Sequence, residues 1–176
     1  MRLFIAIDFP ETVKNAVSAG VNAARDRFSR ANFSRRENYH LTLVFIGETD
    51  GGIGGVTAAM DACAFQPSEI TVGGAGRFRR DGGDIVVRRV RIQESLFDAQ
   101  RKLTEELSRR GFRIENREFR PHITVAREAS LADGVDFGSV DLGAPITFTA
   151  DSMTLFRSDR INGKLTYTPL YRTKRG

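Results

Sequence analysis

The residues best suited to chemistry are two histidines, the only two in 176 residues, and each sits in the same small pattern. One lies in Tyr39-His40-Leu41-Thr42-Leu43-Val44-Phe45-Ile46-Gly47, the other in Pro121-His122-Ile123-Thr124-Val125-Ala126-Arg127. Each is a His-x-Thr triplet at the head of an apolar run. In an extended strand residues i and i+2 point to one face. Each triplet therefore sets an imidazole beside a hydroxyl, and Leu41 or Ile123 turns the other way into a core. Two such strands side by side present two histidines and two threonines to one cleft. With a reference pKa of about 6.5, an imidazole pair holds one proton between its members near neutrality. One ring then takes a proton from water while the other gives one to a leaving group. The hydroxyls and an arginine hold an anion between them, and a phosphodiester is the natural occupant. A single triplet is ordinary in a half-buried strand. Two of them, exhausting the histidine supply, are specific.

The elements that must position these triplets read as a duplication. Leu3 to Asp8 is apolar on both faces, as a central strand would be. Pro10 opens a helix whose core stripe is Val13, Ala16, Val17, Val21, Ala24 and Phe28. The basic stretch Ser29 to Asn38 reads as a connection to the first His-x-Thr strand. A second helix buries Ile53, Val56, Met60 and Cys63 and stops at Pro67. A strand begins at Glu69 and passes through Gly73, Gly74 and Gly76. A basic turn, Arg77 to Gly83, returns it as Asp84 to Ile92. A third helix, about Glu94 to Arg110, buries Leu96, Ala99, Leu103 and Leu107. Its basic connection leads to the second His-x-Thr strand, followed by a loop with a short helix near Ser130 to Asp133. Ile146 to Phe156 and Lys164 to Tyr171 close the chain as a hairpin turning at Asn162-Gly163. The histidines stand 82 residues apart, close to half the chain. The pattern predicts an internal duplication within one domain over residues 1–176, folded as two pseudo-symmetric lobes, not contiguous in sequence, that bring equivalent strands together at a central cleft.

Composition narrows the setting. Hydrophobic content of 40% and charged content of 28% are ordinary for a globular chain. The single cysteine, Cys63, leaves no internal disulfide and no thiolate metal cluster. No run is long enough to cross a bilayer, which points to a cytoplasmic protein away from membranes. A net charge of +5, with 23 of 27 basic residues being arginine, suits an anionic partner or reflects codon bias. Zinc needs three or four protein ligands, and neither triplet has a carboxylate or thiol at a matching position. No metal and no cofactor is therefore expected. A monomer without an obligate protein partner is the default.

The paired triplets resemble the twin signature of the 2H phosphoesterase superfamily. The opening Arg2-Leu3-Phe4-Ile5-Ala6-Ile7-Asp8-Phe9-Pro10, the run His40 to Gly47, and Phe119 to Arg127 narrow the likeness. They resemble its RNA 2',3'-cyclic phosphodiesterase branch, also described as 2'-5' RNA ligases, over nearly the whole chain. The resemblance implies an α+β fold of two lobes, each an antiparallel sheet backed by helices, around a central cleft that holds both motifs. It implies metal-independent hydrolysis of an RNA 2',3'-cyclic phosphate end to a 2'-phosphate, with weak 2'-5' joining in reverse. It implies His122 as the base that activates water and His40 as the acid at the departing 3' oxygen, the swapped roles being geometrically reasonable. Thr42 and Thr124 would bind phosphate oxygens, and Arg127 would stabilise charge on phosphorus. Phe45 would stack on the terminal base, the other reading being a core residue. An offset of five in a regular strand points away from the histidine, so at Phe45 and Arg127 the strands must bulge or have ended. Relatives often carry an apolar, aromatic-rich strand where this chain has Asp84 to Arg91. Arg77, Arg79, Arg80, Arg88 and Arg89 are read mainly as the solvated face of an edge strand, with tracking of an RNA backbone as the alternative. Rival functions are a phosphodiesterase for another cyclic nucleotide (an ADP-ribose cyclic phosphate or a 2'-5' oligoadenylate) and a non-catalytic RNA-end binding module.

Overall fold

A computed structural model describes residues 1–174. The chain runs β1 (Arg2–Asp8), α1 (Glu11–Ala23), β2 (Phe28–Phe33), β3 (His40–Glu48), α2 (Gly54–Ala62), β4 (Ser68–Phe78) and β5 (Asp84–Ile92). It continues through α3 (Glu94–Arg109), β6 (His122–Leu131), β7 (Ile146–Ala150), β8 (Thr154–Ile161) and β9 (Lys164–Arg172). The strands form two antiparallel sheets, one in the order β3-β1-β8-β9 and the other β2-β6-β5-β4-β7.

The run Leu3 to Ile7 is continuously buried because β1 lies between β3 and β8 with both faces covered. Leu3, Ile5 and Ile7 enter the main core. Phe4 and Ala6 point the other way and meet Phe156 in a separate small cluster. The α3 stripe Leu96, Ala99, Leu103 and Leu107 is buried as its spacing predicts. In α1 the buried positions are Val13, Lys14, Val17 and Val21, and Ala16 faces solvent. The helix is rotated so that Lys14, drawn by a carboxylate described below, takes the flank of the stripe.

The helices cross between the sheets. α1 leaves the four-stranded sheet and packs on β7 of the five-stranded one. There Gly20 lies so close to the Leu142 carbonyl that a Cβ would sit 1.9 Å from its oxygen. α3 leaves the five-stranded sheet and contacts α2 and β3. The strands that carry the histidines, β3 and β6, meet each other across the gap between the sheets.

Four expectations need correction. The stretch Ser29 to Asn38 contains most of β2, an edge strand on β6, because Phe28, Ala31 and Phe33 reach the core between solvated neighbours. Ile146 to Phe156 is two strands in different sheets, separated at Asp151–Met153. Ser130 and Leu131 end β6, and the short helical turn lies at Phe137–Ser139. Finally, β5 is an interior strand, with β6 on one side and β4 on the other.

Candidate active site

The two histidines head their strands and are fastened in the same way. His40 donates from Nδ1 to the carbonyl of Asn38 at 2.7 Å, and His122 from Nδ1 to the carbonyl of Arg120 at 2.6 Å. A carbonyl oxygen can only accept, so Nδ1 carries the hydrogen and Nε2 is the nitrogen left for chemistry. In each strand the anchor is the main chain two residues back, a contact local to the His-x-Thr segment itself. Thr42 lies on the ring's own face, its Oγ1 2.8 Å from Nε2 of His40. Thr124 stands two residues beyond His122 on the corresponding face, half-buried and opposite Val87 of β5.

The offset of five resolves through bulges. In β3, Val44 pairs with Ile5 and Thr42 with Ala6, so Leu43 is the extra residue. In β6, Ala126 pairs with Val86 and Thr124 with Val87, so Val125 is the extra residue. Each bulge resets the alternation. Leu43 and Val44 are both buried, as are Val125 and Ala126, and the next residue turns outward. Phe45 therefore shares the face of His40. Its ring lies 5.7 Å from that of Phe4, which is 4.9 Å from the imidazole. Phe45 is 51% exposed and is no core residue. Arg127 shares the face of His122, and its charge acts on both His122 and Tyr167 of the opposite sheet.

The surroundings of the two rings differ. His40 rests among aromatics, with Tyr167 edge-on at 5.2 Å and Phe156 at 6.4 Å. Burial pushes its pKa down to about 4, outweighing the Asn38 carbonyl and the Asp8 carboxylate, which pull upward. The charge of His122 also lowers it, so the two imidazoles lie within electrostatic reach. His122 meets Phe78 edge-on at 5.1 Å. Its pKa is lowered by burial first and by Arg127 as well. Both rings are thus held below the ordinary histidine range, and the sharing of one proton near neutrality does not describe the free protein. The Tyr167 hydroxyl is pushed up by burial, against the charges of Arg127 and Arg2.

Asp8 lies directly opposite His40 across the β1–β3 ladder. Its carboxylate takes Lys14 Nζ at 2.9 Å and Arg172 at 3.3 Å. Lys14 is buried, and its Nζ also lies 3.5 Å from the carbonyl of Glu37, the residue before the His40 anchor. These residues, like Tyr167, were not singled out from sequence. Lys14 at a position flanking an apolar helical stripe was the one available signal.

The basic stretch around β5 disperses. Arg88 is fully buried and is fastened by Nε to Gly73 O at 2.8 Å and by Nη2 to Gly143 O and Ala144 O at 3.0 and 2.8 Å. It neither tracks a ligand nor solvates an edge. Arg77 and Arg79 pair with Asp84, and Arg80 donates to the carbonyl of Arg79. Arg89 lies opposite His122. Among the described residues, no three His, Cys, Asp or Glu side chains gather as a metal ion would require. No helix is long and apolar enough to cross a membrane.

Comparison with known proteins matches residues 10–162 to the 2'-5' RNA ligase superfamily. An RNA 2',3'-cyclic phosphodiesterase of Thermotoga maritima is 34% identical over 155 residues, covering 81% of each chain. One from Methanocaldococcus jannaschii is 29% identical over 167 residues, covering 90% of this chain and 91% of its own. The crystal structure of Escherichia coli LigT complexed with 3'-AMP superposes with a TM-score of 0.78 at 25% identity, covering 97% of this chain and 95% of that one. The two-lobed fold is shared.

Proposed function

This chain belongs to the 2'-5' RNA ligase superfamily, and we propose that it opens the 2',3'-cyclic phosphate at an RNA end, leaving a 2'-phosphate, without a metal ion. The observation that carries the reading is the matched pair of imidazoles. Each is tied at Nδ1 to its own main chain, and the pair stands on neighbouring strands of two opposed sheets. In-line displacement at phosphorus needs a base on the attacking side and an acid on the leaving side. His122 takes the proton of the attacking water as its oxygen bonds to phosphorus. His40 gives its proton to the 3' oxygen as that bond to phosphorus breaks. A neutral imidazole with the less depressed proton affinity is the better base, and a ring at about 4 is the stronger acid once protonated. The bound phosphate supplies the negative charge that returns a proton to His40.

Thr42 and Thr124 donate to the non-bridging oxygens, and Arg127 answers the charge that builds on phosphorus. Phe45, exposed on the His40 face, offers a ring on which the terminal base stacks. A 5'-hydroxyl in the water's place forms a 2'-5' bond by the same displacement. The test is incubation of the purified protein, with chelator, with an RNA ending in 2',3'-cyclic phosphate. The product end is compared with 2'- and 3'-phosphate standards. A 2'-phosphate is the expected result. A 3'-phosphate reverses the polarity assigned here, and bound but unreacted RNA overturns catalysis in favour of an RNA-end binding module.

A further inference from the structure

The face of the five-stranded sheet that carries His122 continues into a second basic hollow. Arg89 of β5 lies directly across the ladder from His122, which places their Cβ atoms about 5 Å apart. Its guanidinium lies over Gly76 of β4, where a Cβ would come within 2.9 Å of Nε. Opposite Arg89, the ladder skips from Val72 to Ala75, so that Gly73 and Gly74 form a bulge without side chains. Arg91, two residues on and so on the same face, stands opposite Thr71. Thr71, Gly73, Arg89, Val90, Arg91 and Pro145 line a hollow of about 290 Å³ with no carboxylate in its walls. Arg77 and Arg79 are held by Asp84 and Arg88 by main-chain carbonyls, whereas among the described residues neither Arg89 nor Arg91 joins a salt bridge.

Two guanidinium groups without acidic partners, over a floor of glycines, suit a phosphate approaching with its sugar flat against the sheet. We propose that this hollow is the subsite for the phosphodiester one nucleotide 5' of the reacting end, so that the protein reads RNA ends of two or more nucleotides in preference to single cyclic nucleotides. The inference rests on the cleft being the cyclic-phosphate site. Arg89 joins the two sites because it neighbours His122 on one side and the glycine floor on the other. The nucleobase at the 5' position is left unread, since a phosphate contact carries no sequence information.

The experiment compares a nucleoside 2',3'-cyclic phosphate with a dinucleotide ending in the same group, in the wild type, Arg89→Gln, Arg91→Gln and Gly76→Ala. The wild type is expected to favour the dinucleotide in kcat/KM. Arg89→Gln is expected to lower kcat/KM for the dinucleotide roughly tenfold more than for the mononucleotide. Gly76→Ala, which displaces the guanidinium and keeps its charge, is expected to lose part of the same preference. The dependence of dinucleotide binding on salt should flatten by about 0.7 in log–log slope when Arg89 is neutralised. Equal losses on both substrates, or none, overturn the subsite. Failure of the wild type to open either substrate overturns the cleft reading instead. The subsite is then read by binding of an RNA with a terminal phosphate, where equal affinity of the wild type and Arg89→Gln overturns it.

Discussion

The two lobes present the same strand in different company. β3 and β6 each begin with a histidine anchored on the carbonyl two residues back, each bulges after its threonine, and each turns a fifth residue back to the histidine's face. The residue across the ladder differs in sign. It is Asp8 at His40 and Arg89 at His122. The fifth residue differs in kind, an exposed phenylalanine in one lobe and an arginine in the other. One lobe is therefore aromatic, with a lysine-paired carboxylate behind its imidazole, and the other is cationic. Under the mechanism proposed above, the duplicated strand sets where the two protons move, and the unlike surroundings suit a substrate with two unlike ends, a base to stack and a phosphate to charge-match.

The sharpest way to break the comparison is to remove one ring from each lobe. His40→Ala and His122→Ala are each expected to lower turnover by about 10²–10⁴-fold, with circular dichroism unchanged because both rings face the cleft. Substantial turnover in either variant defeats the paired mechanism. Next, Arg127→Met and Phe45→Ala should separate in kinetics. Arg127→Met is expected to cost roughly 10²-fold in kcat, while Phe45→Ala raises KM by about tenfold or more with kcat less affected. The reverse split would exchange the roles given to the two lobes.

The pH dependence tests the buried character of both rings. The kcat/KM profile, which reports the free protein, should be a bell lying on the acid side of pH 6.5. One limb belongs near pH 4 and the other below the ordinary histidine range. The limbs belong to the pair, so either assignment of acid and base gives the same curve. A bell centred above pH 7 contradicts the desolvation seen here. Stability carries the same sign. The unfolded chain protonates His40 near pH 6.5 and the folded chain only near pH 4. Folding is therefore most favoured above 6.5 and loses on the order of 3 kcal/mol as pH falls through that window. His40→Asn should flatten the acid limb of a Tm-against-pH curve.

The smallest effects sharpen the contrast most. Asp8 raises the proton affinity of His40, and Lys14 lowers it. By NMR titration, Asp8→Asn should move the His40 pKa down and Lys14→Met should move it up. The other groups around that ring are Arg172, which holds Asp8, and His122. Shifts of the same sign in both variants would mean that the buried pair acts only through packing.

What could be read from sequence and what could not divide along a physical line. The helices were legible because a 3.6-residue stripe such as Leu96, Ala99, Leu103 and Leu107 is dictated by one burial face. The meeting of the two histidine strands at the candidate site was legible because His40 and His122 are rare and carry the same neighbour at the same spacing. β2 was hidden because an edge strand alternating with Ser29, Arg30 and Asn32 has the composition of a loop. The break at Asp151 was hidden because the switch from one sheet to the other is a decision of pairing partners and not of local residue types. Lys14 was passed over and Arg88 misread for a related reason. A cation buries when distant groups wait for it, here Asp8 and the carbonyls of Gly73, Gly143 and Ala144.

The bulges in β3 and β6 have a consequence for how this chain tolerates change. Each is a one-residue insertion that the paired strand does not share, and it lets five residues cover the distance that four cover in a regular strand. Deleting Leu43 or Val125 leaves Phe45 or Arg127 four residues after its histidine in a regular strand, still on the cleft face. Flattening the bulge while keeping its residue instead turns Phe45 or Arg127 toward the core and brings Ile46 or Glu128 over the cleft. At these two points the strand tolerates the loss of a residue better than the loss of its kink.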